Sequence, residues 1–330
     1  MKKFLTFMFI IALFFGCTKE VPERPTRGMN LKGEYLGETP PDTTAKVFGL
    51  KFVSTGMNER DAAFSPDGEE FYFSIWQNDR GSIVVTKMVN ERWTTPKVVS
   101  FSGVYDDIEP FIALDGSRLF FASNRPVEGT TSKDFDIWYV EKNDDGSWGE
   151  PQNLGEPVNS EVNEFYPTLT ETGDLYFTAN LEDSFGREDI YVSKFVDGEY
   201  QKPENLGDKV NSENDEFNSF ISKDGSYLIY TTTGFGNGFG GGDLWVNFKA
   251  EDGTWSGPKN LGDGVNTNKL EYCPSITPDG KYLFFTSNRV NDRIYDQKMS
   301  YERLVEEFNN PYNGSGDIYW VSVEVIERLR

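Results

Sequence analysis

The chain has 330 residues, with 54 Asp and Glu against 32 Lys and Arg, and it contains no histidine. Without an imidazole there is no Ser-His-Asp or Cys-His catalytic machinery and no His-ligated metal site. A net charge of −22 repels nucleic-acid phosphates and anionic lipid, which argues against nucleic-acid binding and polybasic membrane docking.

The N-terminal segment predicts an export signal. Two lysines precede the apolar run 4–15, which is too short to span a membrane comfortably, and the pair Gly-Cys follows at once. The ending LFFGC resembles a bacterial lipoprotein signal. That resemblance implies removal of residues 1–16, lipidation of Cys17 and attachment of the protein to a membrane. A plain cleaved signal is the alternative.

Residues 17–44 are expected to form a flexible tether. The segment lacks apolar periodicity and carries four prolines, which are Pro22, Pro25, Pro40 and Pro41. A flexible chain of this length holds a domain roughly 30 Å from its anchor. If Cys17 carries lipid, Cys273 remains unpaired, and we expect disulfides to contribute nothing to stability.

From Glu59 onward the chain repeats one unit five times, at a spacing of roughly 50 residues. Each copy has a short strand opened by an acid, a tight turn containing Gly, an aromatic strand such as LYFT from Leu175, and a third strand such as DIYV from Asp189. Four copies then end on Trp or Tyr, a Pro and usually NLG, as in YQKPENLG from Tyr200. Four short strands per unit of this length predict a propeller blade.

The fifth copy stops after its third strand. Its missing fourth strand is found near the N terminus, where AKVFGLKFVSTG from Ala45 parallels PKNLGDGVNTNK from Pro258. The sequence therefore predicts an all-β, five-bladed β-propeller over residues 45–330, with four strands per blade and the ring closed by an N-terminal strand.

The repeat blocks also carry a family resemblance. FSPDG at Phe64, ITPDG at Ile276, SNR at Ser123 and Ser287, and the DIY and NLG blocks resemble the WD40-like β-propeller repeats of TolB-like bacterial envelope proteins. The resemblance implies the propeller fold and an exported protein. Such repeats occur on proteins of many functions, so it does not specify an activity.

An acidic residue precedes each turn glycine at a constant spacing, and we expect these acids to begin the innermost strands near the mouth of the central channel. Bare carboxylates about 9 Å apart would repel by roughly 2 kcal/mol. Either neighbouring backbone amides and arginines such as Arg125 and Arg289 compensate them, or a cation such as calcium does. The five acids are Glu59, Asp107, Glu164, Glu216 and Glu271.

Departures from the repeat mark candidate ligand-binding positions. Trp76 stands where other copies have Asn, and the long loop Gly234–Gly242 carries Phe235 and Phe239. That loop contains a formal G-x-G-x-x-G, but it joins two predicted strands and precedes no helix, so we expect no dinucleotide site. The PDG and DG turns are interpreted as turn chemistry only.

The fifth copy contains an insertion in which MSYERLVEEF, from Met299, has helical spacing. The helix is interpreted either as a lid packed on the propeller or as one wall of a ligand cleft. The full set of expected ligand-binding residues is Trp76, Arg125, Phe235, Phe239, Arg289, Tyr295 and Tyr301.

These features favour a non-catalytic binding lipoprotein of the bacterial cell envelope, at the outer membrane. Its acidic, aromatic-edged face would bind a glycan, a peptide or an envelope protein, with calcium as the one candidate cofactor. The alternative is a carboxylate-dependent glycoside hydrolase acting on a polysaccharide, since that chemistry requires no histidine. Its candidate catalytic residues are Glu164, Glu216 and Glu271.

Overall fold

The computed structural model describes residues 31–127, 134–290 and 298–330; Cys17, the signal segment and Tyr295 lie outside them. The described strands form five antiparallel blades of a β-propeller, which confirms the predicted fold. The inner strands of neighbouring blades contact one another around the axis. From the axis outward, the strands are Glu59–Phe64, Glu70–Gln77, Arg80–Val89 and Lys97–Val98 in blade 1; Asp107–Ile112, Arg118–Ser123, Asp136–Glu141 and Gln152–Asn153 in blade 2; Glu164–Leu169, Leu175–Ala179, Asp189–Ser193 and Glu204–Asn205 in blade 3; Glu216–Ile221, Tyr227–Thr232, Asp243–Phe248 and Lys259–Asn260 in blade 4; and Glu271–Ile276, Tyr282–Ser287, Asp317–Ser322 and Lys46–Val47 in blade 5.

The ring is closed by the strand that the sequence predicts. Lys46 lies opposite Trp320 and Val47 opposite Tyr319 in an antiparallel pair. The next residue, Phe48, extends the contact, because its N–H donates to the carbonyl of Ile318 at 2.8 Å. Closure covers the edge that the last blade would otherwise expose.

Aromatic side chains of the second strands fill the spaces between blades. At the seam between blades 5 and 1, the completely buried ring of Phe48 lies 4.9 Å from that of Phe284 and 5.3 Å from those of Phe71 and Trp320. All three contacts are edge-on, a geometry that adds about 0.5–1.5 kcal/mol per pair beyond area burial. The high aromatic content of the chain therefore serves the joints between blades.

A pair of asparagines ties the outer strand to the third strand in blades 2, 3 and 4. In blade 3, Asn211 accepts a hydrogen bond from Ile190 N at 2.9 Å, and its amide donates to Ile190 O at 2.9 Å and to Asn205 Oδ1 at 2.8 Å. Asn205 in turn donates to Asp189 Oδ2 at 2.8 Å. This network explains the repeated NLG block and the Asp that opens the third strand. The equivalent pairs are Asn153 with Asn159 and Asn260 with Asn266.

Blade 5 uses a reduced version of this network. Ser54 exchanges hydrogen bonds with the backbone of Ile318, at 3.0 and 3.3 Å. Val47 stands where blade 4 has Asn260, so no amide side chain of the described residues reaches Asp317. Burial raises the pKa of Asp317 to about 7, although the backbone N–H of Tyr312 donates to it.

The insertion forms the helix Tyr301–Phe308, within the predicted segment. Its apolar residues Leu304, Val305 and Phe308 are 40%, 41% and 64% exposed, so the expectation that this face packs as a lid on the propeller is wrong. The remaining described elements are a short turn at Glu34–Gly37, the helix Glu324–Glu327 and the two-residue strands Arg92–Trp93, Phe195–Val196 and Glu199–Tyr200. None of the described helices has the length and apolar character needed to cross a membrane.

The asparagine network predicts a large cost for Asn211→Ala. The substitution leaves the backbone N–H and C=O of Ile190 without their buried partner, which lowers the free energy of unfolding by roughly 2–4 kcal/mol. Urea denaturation measures the change. Gln201→Ala is the control, because Gln201 is exposed and its amide donates only to the carbonyl of Glu199. Its expected effect is within about 0.5 kcal/mol, and equal losses in the two variants would contradict the prediction.

Candidate functional site

The five acids of the repeat begin the inner strands, as the sequence predicts, and all five are completely buried. In blade 4, the hydroxyl and the backbone N–H of Ser212 both donate to Glu216 at 2.7 Å, and Thr232 Oγ1 donates at 2.9 Å. In blade 5, Thr267 makes the same pair of bonds to Glu271, at 2.7 and 2.8 Å. Each of these acids thus fixes the loop that enters its own blade.

Arg125 and Arg289 are ion-pair partners inside blades 2 and 5. Arg125 Nη2 lies 2.6 Å from Asp107 Oδ1, and its guanidinium lies 5.4 Å from the ring of Trp138. Arg289 Nε lies 3.4 Å from Glu271 Oε1. These contacts match the interpretation in which arginines compensate the charge of the buried acids. Within the described ranges no three Asp, Glu or Cys side chains gather as a metal site, and calcium binding stays a prediction.

Glu164 of blade 3 has fewer partners than its equivalents. Ser160 Oγ donates to its Oε1 at 2.5 Å, but no described group bonds to its Oε2. Burial, together with the nearby charges of Asp136 and Asp134, raises the pKa of Glu164 to about 8, although the hydrogen bonds from Ser160 oppose the shift. One partner is missing because of a sequence change on the second strand. Ala179 stands opposite Glu164 where blades 2, 4 and 5 have a hydroxyl that donates to the equivalent acid, from Ser123, Thr232 and Ser287.

The third residue of every inner strand has a left-handed backbone conformation, with φ between 48° and 63°. The strand register shifts at this point in all five blades. Non-glycine residues rarely adopt this conformation, so its recurrence marks a requirement of the fold. The side chains of these residues make contacts between blades at the axis, and they are Asp61, Glu109, Tyr166, Asn218 and Cys273.

Arg60 is the centre of the axial contacts. Its Nε lies 2.8 Å from Asp61 Oδ1, and its Nη2 lies 2.7 Å from Glu109 Oε1 and 3.4 Å from Cys273 Sγ. The side chains of Asp61 and Glu109 are 1% and 3% exposed, so these ion pairs are largely shielded from solvent. One guanidinium therefore joins blades 1, 2 and 5.

Glu109 extends the network to the two remaining blades. Asn218 Nδ2 donates to its Oε1 at 3.2 Å, and the backbone N–H of Tyr166 donates to its Oε2 at 2.7 Å. Burial raises the pKa of Glu109 to about 7, although the charge of Arg60 opposes that shift. Both oxygens are engaged, and this axial network closes the channel with paired polar groups.

A funnel of about 330 Å³ opens above the axial network. It lies on the face that carries the loops between second and third strands, and Arg60, Glu109 and Asn218 form its floor. The ring centre of Phe135 lies 6.4 Å from that of Trp76 and 5.1 Å from that of Phe165, so blades 1 to 3 contribute a continuous aromatic wall. The remaining lining residues are Ile108, Thr178, Glu188, Phe217, Leu270 and Tyr272.

Of the ligand-binding residues expected from sequence, Trp76 lines this funnel. Phe235 packs edge-on against Trp245 at 4.9 Å, whereas Phe239 and Tyr301 are 45% and 76% exposed outside the funnel. Arg125 and Arg289 lie inside their blades, and Tyr295 falls outside the described residues. A ligand-binding role for these six residues stays a prediction.

Sequence reasoning missed most of the funnel. It followed the first residue of each inner strand, which is acidic in every copy, whereas the funnel and its floor use the second and third residues, which differ among copies. That variation was the signal, because at the position equivalent to Arg60 the other copies have Ile108, Phe165, Phe217 and Tyr272. Glu188 carried no comparable signal, because it lies in a loop of variable length.

No protein-family model matches the chain, and no curated protein matches it. Among solved structures, a putative TolB from Agrobacterium tumefaciens aligns with a TM-score of 0.47 and 14% identity over 81% of this chain and 90% of that one. TolB from Acinetobacter baumannii aligns with a TM-score of 0.47 and 12% identity, and the alignment covers 81% of this chain and 57% of that one. A thermostable family-43 glycoside hydrolase aligns with a TM-score of 0.51 and 11% identity over 85% of this chain and 91% of that one. This likeness shows the propeller fold alone.

The raised pKa of Glu164 predicts that the free energy of unfolding falls as pH rises. Its pKa is about 8 in the folded chain against an ordinary 4.5, so the stabilisation is present below about pH 4.5 and lost as pH rises through 8. Glu164→Gln removes this ionisation, and Ala179→Ser supplies the missing hydroxyl donor. We expect the unfolding free energy of both variants to fall less than that of the original chain between about pH 5 and pH 9, by roughly 1–2 kcal/mol.

Urea denaturation at several pH values measures these slopes. Other buried carboxylates whose pKa is raised, such as Glu109 and Asp317, contribute equally in all three proteins, so the difference between variants isolates Glu164. Identical slopes in the three proteins would contradict the assignment.

Proposed function

We propose that this chain is a non-catalytic binding protein of the bacterial cell envelope that captures its ligand in the axial funnel. The observation that carries the proposal is the aromatic wall formed by Trp76, Phe135 and Phe165 above a floor of paired polar groups. Concave sites with mostly apolar walls and few polar groups are typical of ligand-binding pockets. The floor supports binding from above.

The carboxylates support binding better than hydrolysis. A glycoside hydrolase needs two carboxyl groups on either side of the scissile bond. Glu164, Glu216 and Glu271 are each 0% exposed, belong to three different blades and do not line the funnel. Glu109 and Glu188 do line it, but both oxygens of Glu109 already accept hydrogen bonds.

The setting of the protein is part of the proposal. The basic, apolar and Gly-Cys segments at the N terminus favour export and lipidation of Cys17, which would attach the propeller to the outer membrane through the tether. In that setting the ligand classes within reach are envelope glycans, peptides and envelope proteins.

The proposal predicts that Trp76→Ala weakens ligand capture about tenfold, since loss of one aromatic anchor typically costs more than about 1 kcal/mol. The measurement is capture from glycan and peptide arrays by the purified propeller. Phe165→Ala should produce a similar loss, because Phe165 stands on the same wall.

Phe239→Ala is the matched control, since this aromatic residue is exposed on the same face but lies outside the funnel. A ligand lost by Phe239→Ala and retained by both funnel variants would move the site to the Gly234–Gly242 loop. Turnover of an array polysaccharide would overturn the non-catalytic assignment.

A further inference from the structure

The funnel continues into a second depression, which we call the annex. The annex has a volume of about 500 Å³ and shares Phe165 and Glu188 with the funnel. Its other lining side chains come from the loops of blades 2, 3 and 4 and are mostly polar. They include Asp134, Glu161, Asn163, Asn180, Arg187 and Asp215.

The combined surface is strongly negative. Among the described residues, four carboxylates and one cation line the annex. The cation is Arg187, whose guanidinium pairs with Asp215 and is 86% exposed. On the funnel floor, the charge of Arg60 is already opposed by Asp61 and Glu109. A ligand entering here therefore meets a negative potential beside aromatic faces, and both features attract cations.

A buried hydroxyl on the funnel wall lacks a partner. Thr178 is 1% exposed and lines the funnel, and no described group bonds to its Oγ1. Leaving a buried hydroxyl unsatisfied costs about 1–3 kcal/mol. Thr178 lies opposite Phe165 in the sheet, on the wall that the annex shares. A donor on the ligand would satisfy this oxygen.

Glu188 is placed to meet the same ligand. It lines both the funnel and the annex, and burial together with the charge of Asp215 raises its pKa, while Arg187 lowers it. A bound cation would offset the repulsion between the two carboxylates. An ammonium group has three donors and no acceptor, which suits a site that offers a carboxylate and an unpartnered hydroxyl.

We infer that the funnel and annex together bind a ligand that carries a primary ammonium group beside an apolar or aromatic group. The apolar group packs on Trp76, Phe135 and Phe165, and the ammonium group lies between Glu188 and Thr178. This chemistry belongs to a lysine side chain or amino terminus of a peptide and to a free amine. The inference rests on the proposed function, because it names the ligand class of the same funnel.

Binding of three matched probes tests the inference. Phenethylammonium, 2-phenylethanol and 3-phenylpropanoate share the aromatic group and differ in charge, and calorimetry measures their affinities for the full propeller. We expect the ammonium probe to bind at least tenfold more tightly than the neutral one and the anion to bind most weakly. A neutral probe that equals the ammonium, or an ammonium probe that fails to bind at millimolar concentration, overturns the inference.

Single substitutions test which residues produce the preference for the ammonium probe. Glu188→Gln should reduce the preference for ammonium over the neutral probe about tenfold while leaving 2-phenylethanol binding unchanged, and Thr178→Val should weaken the ammonium probe alone. Glu251→Gln, at an exposed acid on the opposite face, removes the same charge and should change nothing. An unchanged preference in Glu188→Gln overturns the inference, and thermal unfolding of each variant verifies its fold.

Two further probes separate the sources of the ammonium group. An acetylated Phe-Lys amide that binds more tightly than phenethylammonium assigns the site to peptides; tighter phenethylammonium assigns it to free amines. The outcome is separable from that of the proposed function. Trp76-dependent capture of an uncharged envelope glycan, with no preference for ammonium, would retain the binding function and reject this ligand class.

Discussion

The structure depends on a single constraint: five inner strands meet at an axis from which water is largely excluded, so every polar group there needs a partner within the protein. The first residue of four of these strands meets this requirement locally, through a Ser or Thr four residues earlier, as with Ser212 and Glu216. In blade 2, Asp107 is bonded by Ser123 and Arg125 instead. The third residue meets it across blades, through the contacts of Arg60 and Glu109. Because unpaired buried charges are very costly, these bonds fix how the blades pack at the centre.

This division between local and cross-blade contacts also separates structure from recognition. The closed axial network uses the polar atoms of Asp61 and Glu109 for the fold. The aromatic side chains just above it, including Trp76 and Phe165, have no equivalent obligation and can contact a ligand. The acids that begin the inner strands and the axial network thus stabilise the propeller, and the aromatic residues above them distinguish one face.

The fold was predictable from sequence because its signals are local and repeated. Strand periodicity, turn glycines and the NLG block recur in each copy, and the displaced strand at Ala45 was recognisable from its likeness to the copy at Pro258. The funnel was not predictable in the same way. Its walls combine residues from all five copies, and neither the left-handed turn at Glu109 nor its bond to Asn218 leaves a mark in any one copy.

Arg125 shows that a local contact can be anticipated from sequence while the position of the side chain relative to the funnel cannot. Its pairing with Asp107 was anticipated, and that contact holds the side chain inside blade 2, outside the funnel. Conversely, the apolar residue Ala179, at a position where three other blades have a hydroxyl, was visible in the sequence. Its effect on Glu164 emerged only when the register of the two strands was known.

The two-residue closing strand has a consequence for the order of folding. Lys46 and Val47 pair with a strand that begins at Asp317, so the partners are separated by nearly the whole propeller. Contacts this distant in sequence form slowly, because closing so long a loop costs entropy before any bond is made. Until the ring closes, the open edge of the last blade could accept the same segment from another molecule. Strand exchange between copies therefore competes with closure of the ring.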